Sequence, residues 1–181
     1  TIFYVVSMVA FALASGGFIY SFVFKNPRVV TKLTLLVVFG FLALTIAIFA
    51  RFNATGHLPW SGHYEYALMG SWFIIAGTLF VGWQNKQLQG LAAGTVPLVL
   101  IMLGYGYMQN PALTPMAASL KTIWLYIHVY FAWISFGAYS LAMAAGVVFL
   151  LKQKSEAQEV PNPAYDRFPS LGRLDELIFR Y

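Results

Sequence analysis

The chain has 181 residues; 60% are hydrophobic, 18% aromatic and only 9% charged, against about 25% charged residues in soluble domains, so it is an integral membrane protein with room for a handful of spans and no sizeable soluble domain. The net charge of +5 does not point to nucleic acid, because basic residues in a membrane chain gather in its cytoplasmic loops. The absence of cysteine excludes disulfides, thiolate metal sites and a cysteine nucleophile.

The expected fold class is all-α: a polytopic membrane helical bundle with five transmembrane helices and a sixth starting at the C-terminal end. The spans are placed at about 2–24, 33–51, 64–83, 91–108 and 121–151, with a cytoplasmic loop at 152–173 and the start of the next helix at 174–181. Each run approaches or exceeds the ~20 apolar helical residues that cross the hydrocarbon core. The first run lacks the basic leader, short apolar core and small-residue cleavage site of a signal peptide, and reads as a true span. The fourth contains Gly94, Pro97, Gly104 and Gly106 and is expected to be the least regular, with a kink at Pro97. The sequence begins at Thr1 without Met and stops at Tyr181 inside the new helix, so residues 1–181 read as a single membrane domain from a longer protein.

Counting basic residues by loop gives the orientation. One side receives Lys25, Arg28, Lys32, Lys86, Lys152, Lys154, Arg167, Arg173 and Arg180; the other receives only Arg51 and Lys121. The first side is therefore cytoplasmic and the N-terminus outside. His57 and His63 then lie in an external loop. His128 lies in the fifth span, ~12 Å below its external entry at 1.5 Å per residue.

An ionisable group inside a span is a functional-site hypothesis by default. At about 100° per residue, Trp124, His128, Phe131, Ser135 and Tyr139 share one helix face, and Ala142 and Gly146 continue it. This stripe predicts a tight helix contact at its small end and a pocket at its aromatic end, with the imidazole facing the pocket. Imidazole is a common transition-metal ligand and can hold haem iron axially. Arg51 can pair with an anion such as a haem propionate, and Trp60, Trp124 and Tyr64 can stack on a flat macrocycle. Each residue also has a plain structural role. Trp and Tyr suit the headgroup level, Arg51 can snorkel to phosphates, and Glu65 suits the positive end of a helix. His128 can be a hydrogen-bonded packing residue. No phosphate loop, zinc motif or Ser-His-Asp arrangement can be assembled, and no catalytic residue is assigned.

Three blocks carry a family resemblance. Gly56-His57-Leu58-Pro59, followed by Tyr64-Glu65 and Trp72, resembles the GH-x-P…YE…W block of the CcsA/ResC membrane proteins of system II cytochrome c biogenesis. Leu120, Trp124-Leu125 and His128-Val129 resemble that family's LQS-x-WL-x-x-HV block. Pro169-Ser170-Leu171, Leu174-Asp175-Glu176-Leu177 and Arg180 resemble its PSL…LDEL…R stretch.

The resemblance implies haem handling at the outer face of a bacterial cytoplasmic membrane, in preference to a thylakoid membrane. Haem b, as bound substrate, would be presented for thioether attachment to apocytochrome c, with a ResB/CcsB-type membrane protein and thiol-reducing proteins as partners; the chain would be one component of a cytochrome c haem lyase. It makes His128 one axial ligand of the haem iron and places His57, Trp124, Arg51 and Glu65 at family positions, with Trp60 expected to pack on the ring. The chain departs from the family at Gly62 (usually Asn), Lys121-Thr122 (Gln-Ser) and Phe136 (often Tyr), and His63 has no family counterpart. The tryptophan-rich haem segment and second ligand histidine of the family lie beyond Tyr181. Two other readings remain open: a haem-bearing electron-transfer subunit, and a cofactor-free transporter-like subunit.

Overall fold

A computed structural model describes residues 2–24, 29–59, 62–112, 122–158, 165–166 and 168–180. Every regular element among them is helical: α1 (Ile2–Val23), α2 (Val29–Thr55), α3 (His63–Gln84), a 3-10 turn (Lys86–Leu91), α4 (Ala92–Tyr107), α5 (Ile123–Glu156) and α6 (Leu171–Arg180). Five helices among the described residues are long and apolar enough to cross a membrane. The architecture is an all-α polytopic bundle of an integral membrane protein.

Helix bounds differ from the apolar runs where polar residues sit inside the ends. α2 begins at Val29, taking Lys32 into its first turns, and carries Arg51 inside its last turns. α5 begins at Ile123, where the Thr122 side chain accepts from Leu125 N–H at 3.3 Å, as a helix N-cap does. The irregularity expected at Pro97 falls at the start of the fourth span instead: the 3-10 turn leads into α4, which runs continuously through Pro97.

α1 packs against α2 and α4, and α3 against α2, α4 and α5. Their shared core includes Phe11 and Phe18 of α1, Val37 and Leu44 of α2, Leu68 and Ile75 of α3, and Val96 and Leu103 of α4. α5 lies outside this four-helix core, against α3 and α4. Its packed face is Gly137, Ser140, Leu141, Ala144, Ala145 and Val148. Two glycines permit the approach: a Cβ on Gly137 would stand 3.1 Å from the Phe73 carbonyl oxygen, and one on Gly94 2.9 Å from Ala144 Cβ.

The stripe reading of α5 is corrected here. Trp124, His128, Phe131, Ser135 and Tyr139 are all exposed, and a Cβ on Gly146 would meet nothing within 4 Å. The tight seam lies on a neighbouring face, through Gly137 and Ala144. Lipid tails are as apolar as leucine, so apolarity does not mark which side of a span meets protein.

At the other end of α5, Leu174 and Leu177 of α6 join Val148, Val81, Leu88 and Phe168 in a second core. Buried Lys152 ties this end together. Its Nζ donates to the carbonyls of Phe168 (3.2 Å) and Pro169 (2.9 Å) and lies 3.8 Å from Glu156. α6 thus lies as a short amphipathic helix against α5.

Candidate functional site

The ends of α1, α2, α3, α4 and α5 that carry Tyr4, Arg51, Glu65, Tyr107 and His128 form one rim of the bundle. Arg51 Nε donates to Glu65 Oε1 at 2.9 Å, and its Nη1 and Nη2 donate to the carbonyls of Pro111 (2.7 Å) and Ala112 (3.0 Å). The guanidinium also stands 5.2 Å from the Tyr64 ring centre, and Tyr64 stacks on Tyr4 at 5.2 Å. Glu65 is buried at 2% exposure in the first turn of α3, where its charge meets both the helix N-terminus and Arg51. This cluster joins α1, α2, α3 and the segment after α4. Arg51, Glu65 and Tyr64 are therefore brought together with one another, and three of the five guanidinium N–H groups are used inside the protein.

His128 is elsewhere on the rim. It lines an open groove of about 410 Å³ with Tyr66 of α3 and Val129, Ala132, Trp133 and Phe136 of α5. The groove exists because Trp133 reaches across to α3. Its ring lies over Gly70, where a Cβ would stand 2.6 Å from the indole edge, and it packs on Tyr66 at 5.9 Å. Tyr66 is held in turn by His63, ring centre to ring centre 6.4 Å, and His63 by Tyr105 at 6.2 Å. The His128 imidazole and the Tyr66 hydroxyl have no hydrogen-bond or ionic partner among the described residues, and the Trp133 indole N–H is buried without one. An unpaired imidazole on a span is costly in lipid, and an indole N–H left unsatisfied costs ~1–3 kcal/mol. The surface of the groove is almost wholly apolar, which suits a flat, largely apolar ligand.

The remaining candidates separate from this groove. Trp124, in the first turn of α5, is 76% exposed and does not line it. Trp60 lies outside the described residues. His57 is in the turn after α2, beside a different pocket. Sequence reasoning missed Tyr66 and Trp133. Their one signal is Gly70, a residue without a side chain placed one turn beyond Tyr66, where the indole fits. Among the described residues no group of three or more His, Cys, Asp or Glu is placed to hold a bare metal ion.

Comparison with known proteins gives a consistent answer. No solved structure matches the chain. Several curated relatives do, each named cytochrome c biogenesis protein CcsA. One from Pyropia yezoensis is 28% identical over 134 residues, covering 71% of this chain and 40% of the relative. One from Synechococcus sp. (strain RCC307) is 28% identical over 145 residues, covering 75% and 45%. One from Prochlorococcus marinus (strain MIT 9215) is 26% identical over 161 residues, covering 84% and 49%. The chain spans less than half the length of these relatives. A family model described as Cytochrome C assembly protein matches residues 60–181, which take in α3, the Tyr66–His128 groove and α6. The chain belongs to the cytochrome C assembly protein family.

Proposed function

We propose that this chain acts in cytochrome c biogenesis, holding haem b at the outer face of a bacterial cytoplasmic membrane with His128 as one axial ligand of the iron. The observation that carries the reading is the His128 imidazole, exposed in an aromatic groove on a span and without a partner among the described residues. Family membership and the names of the relatives support it. Haem is cargo here, presented for thioether attachment to apocytochrome c, with a ResB/CcsB-type membrane protein and thiol-reducing proteins as partners. Tyr66, Trp133 and Phe136 form the walls. Among the described residues Arg51 leaves two N–H groups unused, with which it would meet a propionate; its main work is with Glu65, fixing the first turn of α3 and hence Tyr66. Trp124 and Trp60 would pack on the ring from the rim.

The test is maturation of a cytochrome c in cells that depend on the full-length protein, scored as covalently attached haem. His128→Ala is expected to lower the yield at least ~10-fold, the order seen when a metal-site residue is removed, with the protein still present in the membrane. A normal yield in that variant rejects the reading.

A further inference from the structure

The basic end of the bundle, opposite the His128 rim, carries a cleft shaped by the 3-10 turn before α4. The Asn85 side chain accepts from Gln87 N–H at 3.0 Å and so starts the turn Lys86–Leu91. A 3-10 helix has about three residues per turn, so side chains three apart eclipse and the turn has three edges. Leu88 and Leu91 form the edge buried in the second core. Gly90 lies on the edge against Phe168, where a Cβ would stand 2.5 Å from the ring. Lys86 and Gln89 form the third. Gln89 lines a cleft of about 290 Å³ with Val38 of α2, Leu79, Gly82 and Trp83 of α3 and Ala92 of α4. Gly82 admits it, since a Cβ there would stand 3.2 Å from Gln89 Cγ.

The walls of this cleft are apolar and its mouth is polar. Val38 and Leu79 remain partly exposed, so the cleft opens sideways, toward lipid. Gln89 Nε2 reaches the Gly82 carbonyl only at 3.5 Å, longer than a good hydrogen bond, and its side-chain oxygen has no partner among the described residues. Trp83 is 79% exposed at the end of its span, the level where indoles meet headgroups. Lys86, eclipsed with Gln89, is exposed and has no ion pair among the described residues. Acyl chains are as apolar as the side chains that face them, so the walls alone select no ligand. Selection comes from the mouth, where an ammonium suits a phosphate and amide and indole N–H groups suit ester carbonyls.

We propose that this cleft binds one anionic glycerophospholipid, with an acyl chain between α2 and α3, its ester carbonyls at Gln89 and Trp83, and its phosphate on Lys86. The bound chain fills the space that α2, α3 and α4 leave open, so the lipid is a packing element of the basic end. The inference is independent of the haem reading.

The experiment is native mass spectrometry of the purified full-length protein in mild detergent, with added phosphatidylglycerol or phosphatidylcholine. Wild type is expected to retain one phosphatidylglycerol, with a ~5-fold preference over phosphatidylcholine, the order expected for one lysine at an anionic surface. Lys86→Glu reverses one exposed charge and is expected to abolish that preference. Val38→Trp fills the cleft from α2 and is expected to lose the bound lipid of either kind. Lys154→Glu, an exposed lysine of α5 at the same end, is expected to behave as wild type. A preference unchanged in Lys86→Glu, or lost equally in Lys154→Glu, rejects the headgroup contact, and lipid retained in Val38→Trp rejects the cleft. Any of these results overturns the proposal, and Lys86→Glu decides alone if Val38→Trp does not fold.

Discussion

Arg51 shows how far a residue's chemistry depends on partners remote in sequence. Its position at a membrane edge was plain, and so was its suitability for an anion. Its anion turned out to be Glu65, with two carbonyls from the segment after α4 completing the set, and no spacing rule announces such partners. With side-chain exposures of 12% for Arg51 and 3% for Glu65, removal of either leaves a charge in a poor environment, which costs ~3–5 kcal/mol. Arg51→Ala and Glu65→Ala are each expected to destabilise the protein by about that much, and the double variant by clearly less than the sum. Thermal unfolding in detergent measures both; additive losses would show that the pair is not coupled. His128 was legible as a residue, since an imidazole inside an apolar run stands out. Its surroundings were not, because Tyr66 and Trp133 read in sequence as ordinary interfacial aromatics.

The same division holds for the helices. Spans were legible as apolar runs, because length and hydropathy alone decide whether a helix can cross the membrane. Which face packs was misread for α5, since Trp124 to Tyr139 reads as a stripe although the seam runs through Gly137 and Ala144. The correction makes a paired prediction. Gly137→Val places a side chain against the Phe73 carbonyl at 3.1 Å and is expected to cost ~1–3 kcal/mol, the range for overpacking. Gly146→Ala has open space and is expected to be neutral or mildly stabilising, since Ala exceeds Gly in helix propensity by up to ~1 kcal/mol. Thermal unfolding of the two variants separates the faces; the reverse order would restore the stripe. At the other end of α5, Lys152→Met removes the donor to the Phe168 and Pro169 carbonyls. Loss of these two charge-assisted bonds, each worth ~1.5–3 kcal/mol, loosens this end, so limited proteolysis is expected to cut residues 157–170 faster, with the spans intact. Unchanged cleavage would show that α6 holds without this clamp.

At the scale of the molecule, the bundle has a basic end and an aromatic end. Lys32, Lys86, Lys152, Lys154 and Arg173 lie at the end where α6 packs, and the Tyr4–Tyr64–Tyr107 and His63–Tyr66–Trp133 clusters lie at the opposite rim. By the positive-inside rule we propose that the aromatic rim faces the outside. Residues 1–181 hold no cysteine, so single cysteines placed there, in a full-length protein with any other cysteine replaced by serine, test this. Cysteine at Thr122 is expected to react with an impermeant thiol reagent added outside intact cells, and cysteine at Gln158 only after lysis; the opposite pattern would invert the topology.

The most direct test of the central claim, that His128 holds haem at this rim, is an absorption spectrum of the full-length protein purified in mild detergent, oxidised and then reduced, beside His128→Ala. The account predicts sharp reduced bands that weaken or shift in the variant. A colourless wild-type protein isolated together with its partners, or identical bands in both proteins, would contradict it.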